Sequence, residues 1–316
     1  MVTITPPRLI LAPLRGYTDV VFRNVFHRHF GGIDEAVAPF VTSIKGYRIK
    51  SSHLRDLAPE DNQGVPVVPQ ILSNHGSDFI RLANTLVDWG YAEINWNLGC
   101  PYPMVANKKR GSGLLPYPDH IDRLLDDIVT GFRGQLSIKT RLGRRHIDEM
   151  DQLIPVFNRY PLARIIVHAR TGEQMYTGAV DLDAFENCLR SITHPVVYNG
   201  DITDLDRFQA LRQRFPAASG WMLGRGVIAN PFLPEMIRTG EPSIRQRKIR
   251  FAAFHNDLLD AYGCQFCGPG HVLDRMKGFW RYFALAHADG QRLLKRIRKT
   301  RSLEHYRQVV AAVLSF

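Results

Sequence analysis

The sequence predicts an α/β protein, a (β/α)8 TIM barrel followed by a C-terminal all-α helical bundle. Three observations carry that reading: eight short apolar runs in the first 240 residues, helix-length stretches between them, and a concentration of positive charge in the last 76 residues. The runs are Arg8 to Ala12, Glu35 to Pro39, Val65 to Ile71, Ala92 to Asn97, Leu136 to Thr140, Ala163 to Val167, Pro195 to Tyr198 and Gly220 to Leu223. Each is rich in β-branched or other apolar residues and is bounded by Pro, Gly, Asn or Asp, as buried parallel strands are. Their centres lie roughly 25 to 43 residues apart, room for one crossover helix each. Stretches such as Asp78 to Trp89 and Pro118 to Phe132 carry apolar residues at helical spacing. Eight such units close naturally into a barrel. Pro66 and Pro69 sit awkwardly in the third run, because proline cannot donate to a central ladder.

Beyond the eighth run, Thr239 to Ser243 reads as a linker and helix start, with Ser243 as the cap. Residues 244–262, 271–288 and 302–315 then show apolar spacing near 3.6 with interleaved Arg and Lys, which predicts three or four packed helices. The expected division is 1–240 for the barrel and 241–316 for the bundle.

Composition narrows the class. With 316 residues, 45% hydrophobic and 22% charged, the chain is neither disordered, collagen-like nor disulfide-stapled. No apolar run approaches the ~18 residues of a membrane span, and neither a span nor a signal peptide is expected. Four cysteines, at 100, 188, 264 and 267, make no disulfide framework and fit a reducing cytoplasm. The net charge is +11, and residues 241–316 hold 14 Lys/Arg against 6 Asp/Glu, so +8 of it lies in the tail. Such an asymmetry favours a polyanion, nucleic acid before membrane surface.

Barrel enzymes build their sites at the C-terminal ends of the strands. Here those ends carry Ala12-Pro13-Leu14-Arg15-Gly16, then Gln70, then Asn97-Leu98-Gly99-Cys100-Pro101. Lys139 and Arg141, His168 and Arg170, Asn199-Gly200-Asp201 and Gly224-Arg225-Gly226 follow. Glycines after the last two strands let backbone N–H groups approach an anion at a helix N-terminus, a common phosphate site in barrels, and Arg225 adds charge. The same glycines taken singly also suit tight turns. Cys264-Gln265-Phe266-Cys267 is a single pair without a second, and is read as two packing thiols rather than a metal site.

In order along the chain, Leu11 to Asp19 with Phe22-Arg23, Asn97 to Pro101, Lys139 to Arg141, His168 to Thr171, Asn199 to Ile202 and Gly224 to Gly226 resemble the tRNA-dihydrouridine synthases. The Asn97 to Pro101 segment is the most specific part. A departure is Leu14-Arg15, where the family usually reads Met and a small or acidic residue. The resemblance implies a flavoenzyme that reduces the C5–C6 bond of a tRNA uridine, with FMN as cofactor and NADPH or NADH as reductant. It places Pro13 and Leu14 against FMN, Gln70 and Lys139 at its ring, and His168, Asn199, Gly200, Asp201, Gly224 and Arg225 at the ring edge, ribityl chain and phosphate. Cys100 is then the general acid, Asn97 orients the uridine, and Arg141 and Arg170 contact a base carbonyl or phosphate. The run Lys108-Lys109-Arg110, in the loop that bears Cys100, is expected to meet tRNA phosphates. A cytoplasmic monomer with no obligatory protein partner is expected. Two other readings remain open at this point: an FMN barrel dehydrogenase of a small pyrimidine such as dihydroorotate, and a non-catalytic RNA-binding protein.

Overall fold

A computed structural model describes residues 6–44, 46, 54–240 and 242–314. Its strands are β1 (Leu9–Leu11), β2 (Glu35–Val37), β3 (Val41–Thr42), β4 (Val67–Val68), β5 (Gln70–Leu72), β6 (Glu93–Leu98), β7 (Gln135–Gly143), β8 (Leu162–Thr171), β9 (Val196–Asn199) and β10 (Gly220–Leu223). All pair in parallel, in the order β3-β5-β6-β7-β8-β9-β10-β1-β2-β4. β2 and β3 are two pieces of one strand, and β4 and β5 two pieces of the next. Because β2 pairs with β4 and β3 with β5, the ends of the sheet meet and the ring closes on eight strands. The break in the third strand falls at Pro69, which has no N–H to donate; its carbonyl still accepts from Asn95 N at 2.8 Å.

Helices α1 (Val20–His29), α2 (Gly76–Asp88), α3 (Pro103–Ala106), α4 (Pro118–Gly131), α5 (Glu149–Asn158), α6 (Leu182–Ser191), α7 (Leu205–Arg214), α8 (Arg225–Ala229) and α9 (Leu233–Thr239) fill the crossovers and the barrel's last turn. Alternation along each strand divides the core in two. Ile10, Ala12, Val37, Val68, Ile166, Val197 and Met222 form a small cluster inside the barrel, while Leu9, Leu11, Ile165, Val167 and their neighbours join the helices in the large outer cluster. Below the inner cluster, Arg164 lies between Glu35 and Glu93, a buried ion network at the closed end.

The tail folds as α10 (Ile244–Gln265), α11 (Pro269–Phe283), α12 (Gly290–Arg298) and α13 (Leu303–Leu314). Ser243 caps α10 in a capping box with Gln246, as its position predicts. Glu241 of the expected linker and Ser315 of the last predicted helix lie outside the described residues. The second predicted tail helix ends early, at Phe283, and α12 forms a separate helix that the three predicted ranges omit. Cys264 and Cys267, expected to pack, are both exposed.

Bundle and barrel share one core. Phe22 of α1 stacks on Phe279 at 5.6 Å, and Phe30 meets Phe254 at 5.0 Å. Tyr262 donates to Asp19 at 2.8 Å, and Arg250 makes a two-pronged ion pair with Glu235 at 2.8 and 2.9 Å. The tail therefore lies over α1 and α9, beside the strand ends. No helix among the described residues is long and apolar enough to cross a membrane.

Candidate active site

A cleft of 1380 Å³ opens between the C-terminal ends of the strands and the tail. β7 and β8 are longer than their apolar runs indicate and extend past the barrel rim to Gly143 and Thr171, so Arg141, His168 and Arg170 stand on strand rather than loop. Register then sets neighbours: Asn97 opposite Lys139, Arg141 opposite His168, and His168 opposite Asn199. Lys139 Nζ donates to Asn199 Oδ1 at 2.9 Å, and Asn199 Nδ2 donates to the Met222 carbonyl at 3.0 Å. Burial, with Arg141 close by, brings the Lys139 ammonium down to about 7. Burial and the surrounding cations hold His168 well below its ordinary value, so this ring is neutral at neutral pH.

Cys100 sits on the loop after β6, 8% exposed and lining the cleft. Its backbone is held from both sides. Asn97 Oδ1 accepts from Gly99 N at 3.1 Å and Cys100 N at 2.9 Å, while Ser112 donates through N and Oγ to the Cys100 carbonyl at 3.0 and 3.1 Å. Gly111, at φ +55, packs so close that a Cβ there would lie 2.7 Å from that same carbonyl. Beneath, Asn97 donates to Gln70, Gln70 to Asn95 and Asn95 to Ser137, at 2.7, 2.7 and 2.8 Å, a polar chain crossing the barrel interior. Burial pushes the Cys100 thiol up, against the opposing pull of the Tyr102 N–H and of Arg141, so the sulfur keeps its proton at neutral pH.

On the opposite side of the cleft, Asp201 takes an uncommon φ of +40 and bridges two arginines. Arg170, 1% exposed, binds its carboxylate and the Gly178 carbonyl, and Arg225 Nη2 reaches it at 2.6 Å. Burial works to raise the Asp201 carboxyl, but the two guanidiniums outweigh it and hold it below the ordinary range. Tyr176 lies against this group, with Arg225 4.9 Å and Arg141 5.4 Å from its ring centre. Gly226 packs against Ile202, whose carbonyl a Cβ would meet at 2.1 Å, so the loops after β9 and β10 touch backbone to backbone.

The sequence that builds this cleft, with its protonated thiol on one side and a neutral histidine beside clustered cations on the other, matches a known family. The family model described as dihydrouridine synthase matches residues 10–315. This chain belongs to that family. A Rhodobacter capsulatus relative named "Probable tRNA-dihydrouridine synthase" is 31% identical over 229 residues, 72% of this chain and 69% of its own. A Bacillus subtilis relative named "Probable tRNA-dihydrouridine synthase 2" is 28% identical over 320 residues, 96% of this chain and 93% of its own. Among solved structures, the old yellow enzyme homologue from Zymomonas mobilis superposes with a TM-score of 0.56 at 11% identity, over 76% of this chain and 92% of that one, a likeness of fold alone.

Within this dihydrouridine synthase, the cleft brings together Pro13, Leu14, Asn97, Cys100, Lys139, Arg141, His168, Arg170, Asn199, Gly200, Asp201, Gly224 and Arg225. Several stand differently from expectation. Gln70 is fully buried beneath the floor and reaches the cleft only through Asn97. Asn97, expected to orient a base, has both ends of its carboxamide engaged within the protein: Oδ1 holds the Cys100 loop and Nδ2 donates to Gln70. Arg170, expected to meet substrate, is committed to Asp201 and Gly178 because an unpaired guanidinium that deeply buried is costly. Arg141 donates to the Gly99 and Thr171 carbonyls at 3.0 and 2.7 Å. Lys108, Lys109 and Arg110 do not line the cleft. Tyr176 and the tail's Tyr282 and His287 do, and nothing in local sequence marks them beyond an aromatic after a strand and a basic helical segment.

Proposed function

We propose that this dihydrouridine synthase reduces the C5–C6 double bond of a uridine in tRNA, in the cytoplasm, with FMN as cofactor and NADPH or NADH as reductant. The observation that carries the reading is the pairing, across one cleft, of a protonated Cys100 with a Lys139–Asn199 pair and a neutral His168. The donor set suits FMN. Lys139, Asn199 and His168 offer polar groups to a flavin edge, Arg225 and the glycine loops at 200 and 224 suit its phosphate, and Pro13 and Leu14 present an apolar face. The cleft exceeds the ~300–1,000 Å³ usual for one small ligand, room for a cofactor and a base together.

When bound, reduced FMN supplies a hydride to the uracil ring. The chain's own groups do the rest. Cys100 Sγ holds a proton at neutral pH and delivers it to the neighbouring ring carbon, while Asn97, Ser112 and Gly111 keep the thiol in place. Lys139, poised near neutrality, takes up a full positive charge when negative charge develops beside it. Asp201, itself anchored by the buried Arg170, positions Arg225, which would hold the phosphate of the cofactor. Arg141 and Tyr176 border the space left for the base, which must be unstacked from folded tRNA to enter. The cationic tail, expected to recognise tRNA, lines the same cleft through Tyr282 and His287. A small-pyrimidine dehydrogenase has no use for that cationic tail, and a binding protein has none for a held thiol.

The test is complementation. Expression in a strain lacking its own dihydrouridine synthases should restore dihydrouridine at defined tRNA positions, and the purified protein should carry flavin absorbance. A colourless protein that takes up no added FMN, or tRNA left unmodified, overturns the reading.

A further inference from the structure

The loop that carries Cys100 continues through residues 101–117, and its outer side is not accounted for by the cleft. Met104 is 72% exposed, Tyr102 47% and Tyr117 41%. Looseness does not explain this exposure. The same loop buries Val105, Ala106, Leu114 and Leu115, and Gly113 approaches α3 so closely that a Cβ would lie 2.1 Å from the Ala106 carbonyl. Arg144, just past the end of β7, bonds the Pro101 carbonyl and Ser112. The apolar side chains that packing needs already point inward; Met104 adds nothing to that core.

The charge on this surface is equally one-sided. Between Glu93 and Asp119 the sequence holds no acidic residue, while Lys108, Lys109 and Arg110 follow one another. Among the described residues none of the three makes an ion pair: Arg110 Nε donates to Asn74 at 3.1 Å, and Lys109 Nζ lies 4.4 Å from the centre of the Tyr117 ring. Lys109 also holds φ +50, a left-handed conformation that glycine or asparagine adopts at lower cost. A strained lysine kept where glycine fits better points to a use for its side chain.

We propose that the outer side of loop 101–117 is a second RNA-contact surface, across the cleft from the tail. There Tyr102 and Met104 stack the bases flanking the target uridine, and Lys108 and Lys109 hold their phosphates. The proposal rests on the tRNA reading above. Extruding one base leaves the faces of its neighbours open to water, and an apolar platform beside the pocket offsets that loss. Tyr102 lines the cleft and reaches the loop's outer side, so the platform begins where the base enters.

Three variants of the full-length protein test it by tRNA binding across a salt series and by steady-state dihydrouridine formation. Met104→Ala should weaken tRNA binding about tenfold with the salt slope intact, since a stacking contact releases no counterions. Lys108→Ala should lower the slope by ~0.7 to 0.9. Lys109→Gly relieves the backbone, so its Tm should hold or rise while tRNA affinity and slope fall, opposite signs that general damage does not produce. For all three the loss should appear in KM rather than kcat. Unchanged tRNA affinity in Met104→Ala and Lys109→Gly overturns the surface while leaving the enzyme reading intact. A wild-type protein that neither binds nor reduces tRNA overturns both. A concentration-dependent dimer abolished by Met104→Ala, with tRNA binding unchanged, assigns this face to a second copy of the chain and likewise overturns the proposal.

Discussion

The cations of the barrel mouth and those of the tail behave in opposite ways. At the mouth, Arg141 and Arg170 are nearly fully buried and bonded to carbonyls or to Asp201, and Lys139 is brought close to neutrality. On α12, Leu293, Leu294 and Ile297 face the core while Arg292, Lys295, Arg296 and Arg298 stand in solvent, with no ion pair to any of them among the described residues. Buried, paired cations hold geometry and are insensitive to salt; exposed, unpaired ones attract a polyanion over distance and are screened by salt. Equal formal charges thus serve two tasks, and the barrel's near-neutral total conceals the first of them.

The largest expected effect breaks the chemistry at the mouth and leaves the tail alone. Cys100→Ala should slow reoxidation of the reduced enzyme by tRNA about 10²–10⁴-fold, the range for loss of a general acid. Reduction of the flavin by NADPH should stay near the wild-type rate; stopped-flow traces of the two half-reactions decide it, and equal slowing of both would mean a damaged cofactor site.

Asp201→Asn addresses the claim that the buried mouth cations depend on a carboxylate partner. Asparagine tolerates the left-handed backbone at this position, so the variant removes charge and little else. Arg170 then lacks a counterion, and thermal or urea melts should show a loss of about 2 kcal/mol, with weaker FMN retention. An unchanged Tm and tighter FMN binding would show instead that the carboxylate merely repels the phosphate.

The tail has a buried histidine with which to sharpen the contrast. His255 accepts from Tyr306, whose hydroxyl in turn accepts from Trp280 at 2.7 Å, and burial holds the ring at about 4. Because the folded state resists protonation that the unfolded state accepts, stability should be full above pH ~6.5 and fall as pH drops toward 4, by up to about 3 kcal/mol. Melts of the wild type and His255→Gln between pH 7.5 and 4.5 should differ in slope across that window; parallel slopes refute the assignment.

The smallest effect concerns α12. Replacing Lys295, Arg296 and Arg298 by Ala should leave the unfolding free energy within about 0.5 kcal/mol of wild type and reduce the salt dependence of tRNA binding, by ~0.7 to 0.9 in slope for each phosphate no longer neutralised. An undiminished slope would take α12 out of tRNA recognition.

Much of this was legible in one chain of letters because it depends on short-range pattern. All eight strand runs appear as strands, since β-branched segments bounded by turn residues have few other places to go, and polar residues at their C-terminal ends fall where a barrel gathers them. The tail's charge and the motifs from Leu11 to Gly226 likewise required only the sequence. Tertiary structure decided which of these residues meet the cleft and which serve one another. Closure and register set Asn97 beside Lys139 and His168 beside Asn199; the hydrogen-bond chain turned Gln70 and Asn97 into supports for Cys100; burial forced Arg170 onto Asp201; and packing on α1 made barrel and tail one core. Those outcomes depend on contacts between residues tens to hundreds of positions apart, where a polar side chain is claimed by whichever buried partner the fold brings to it.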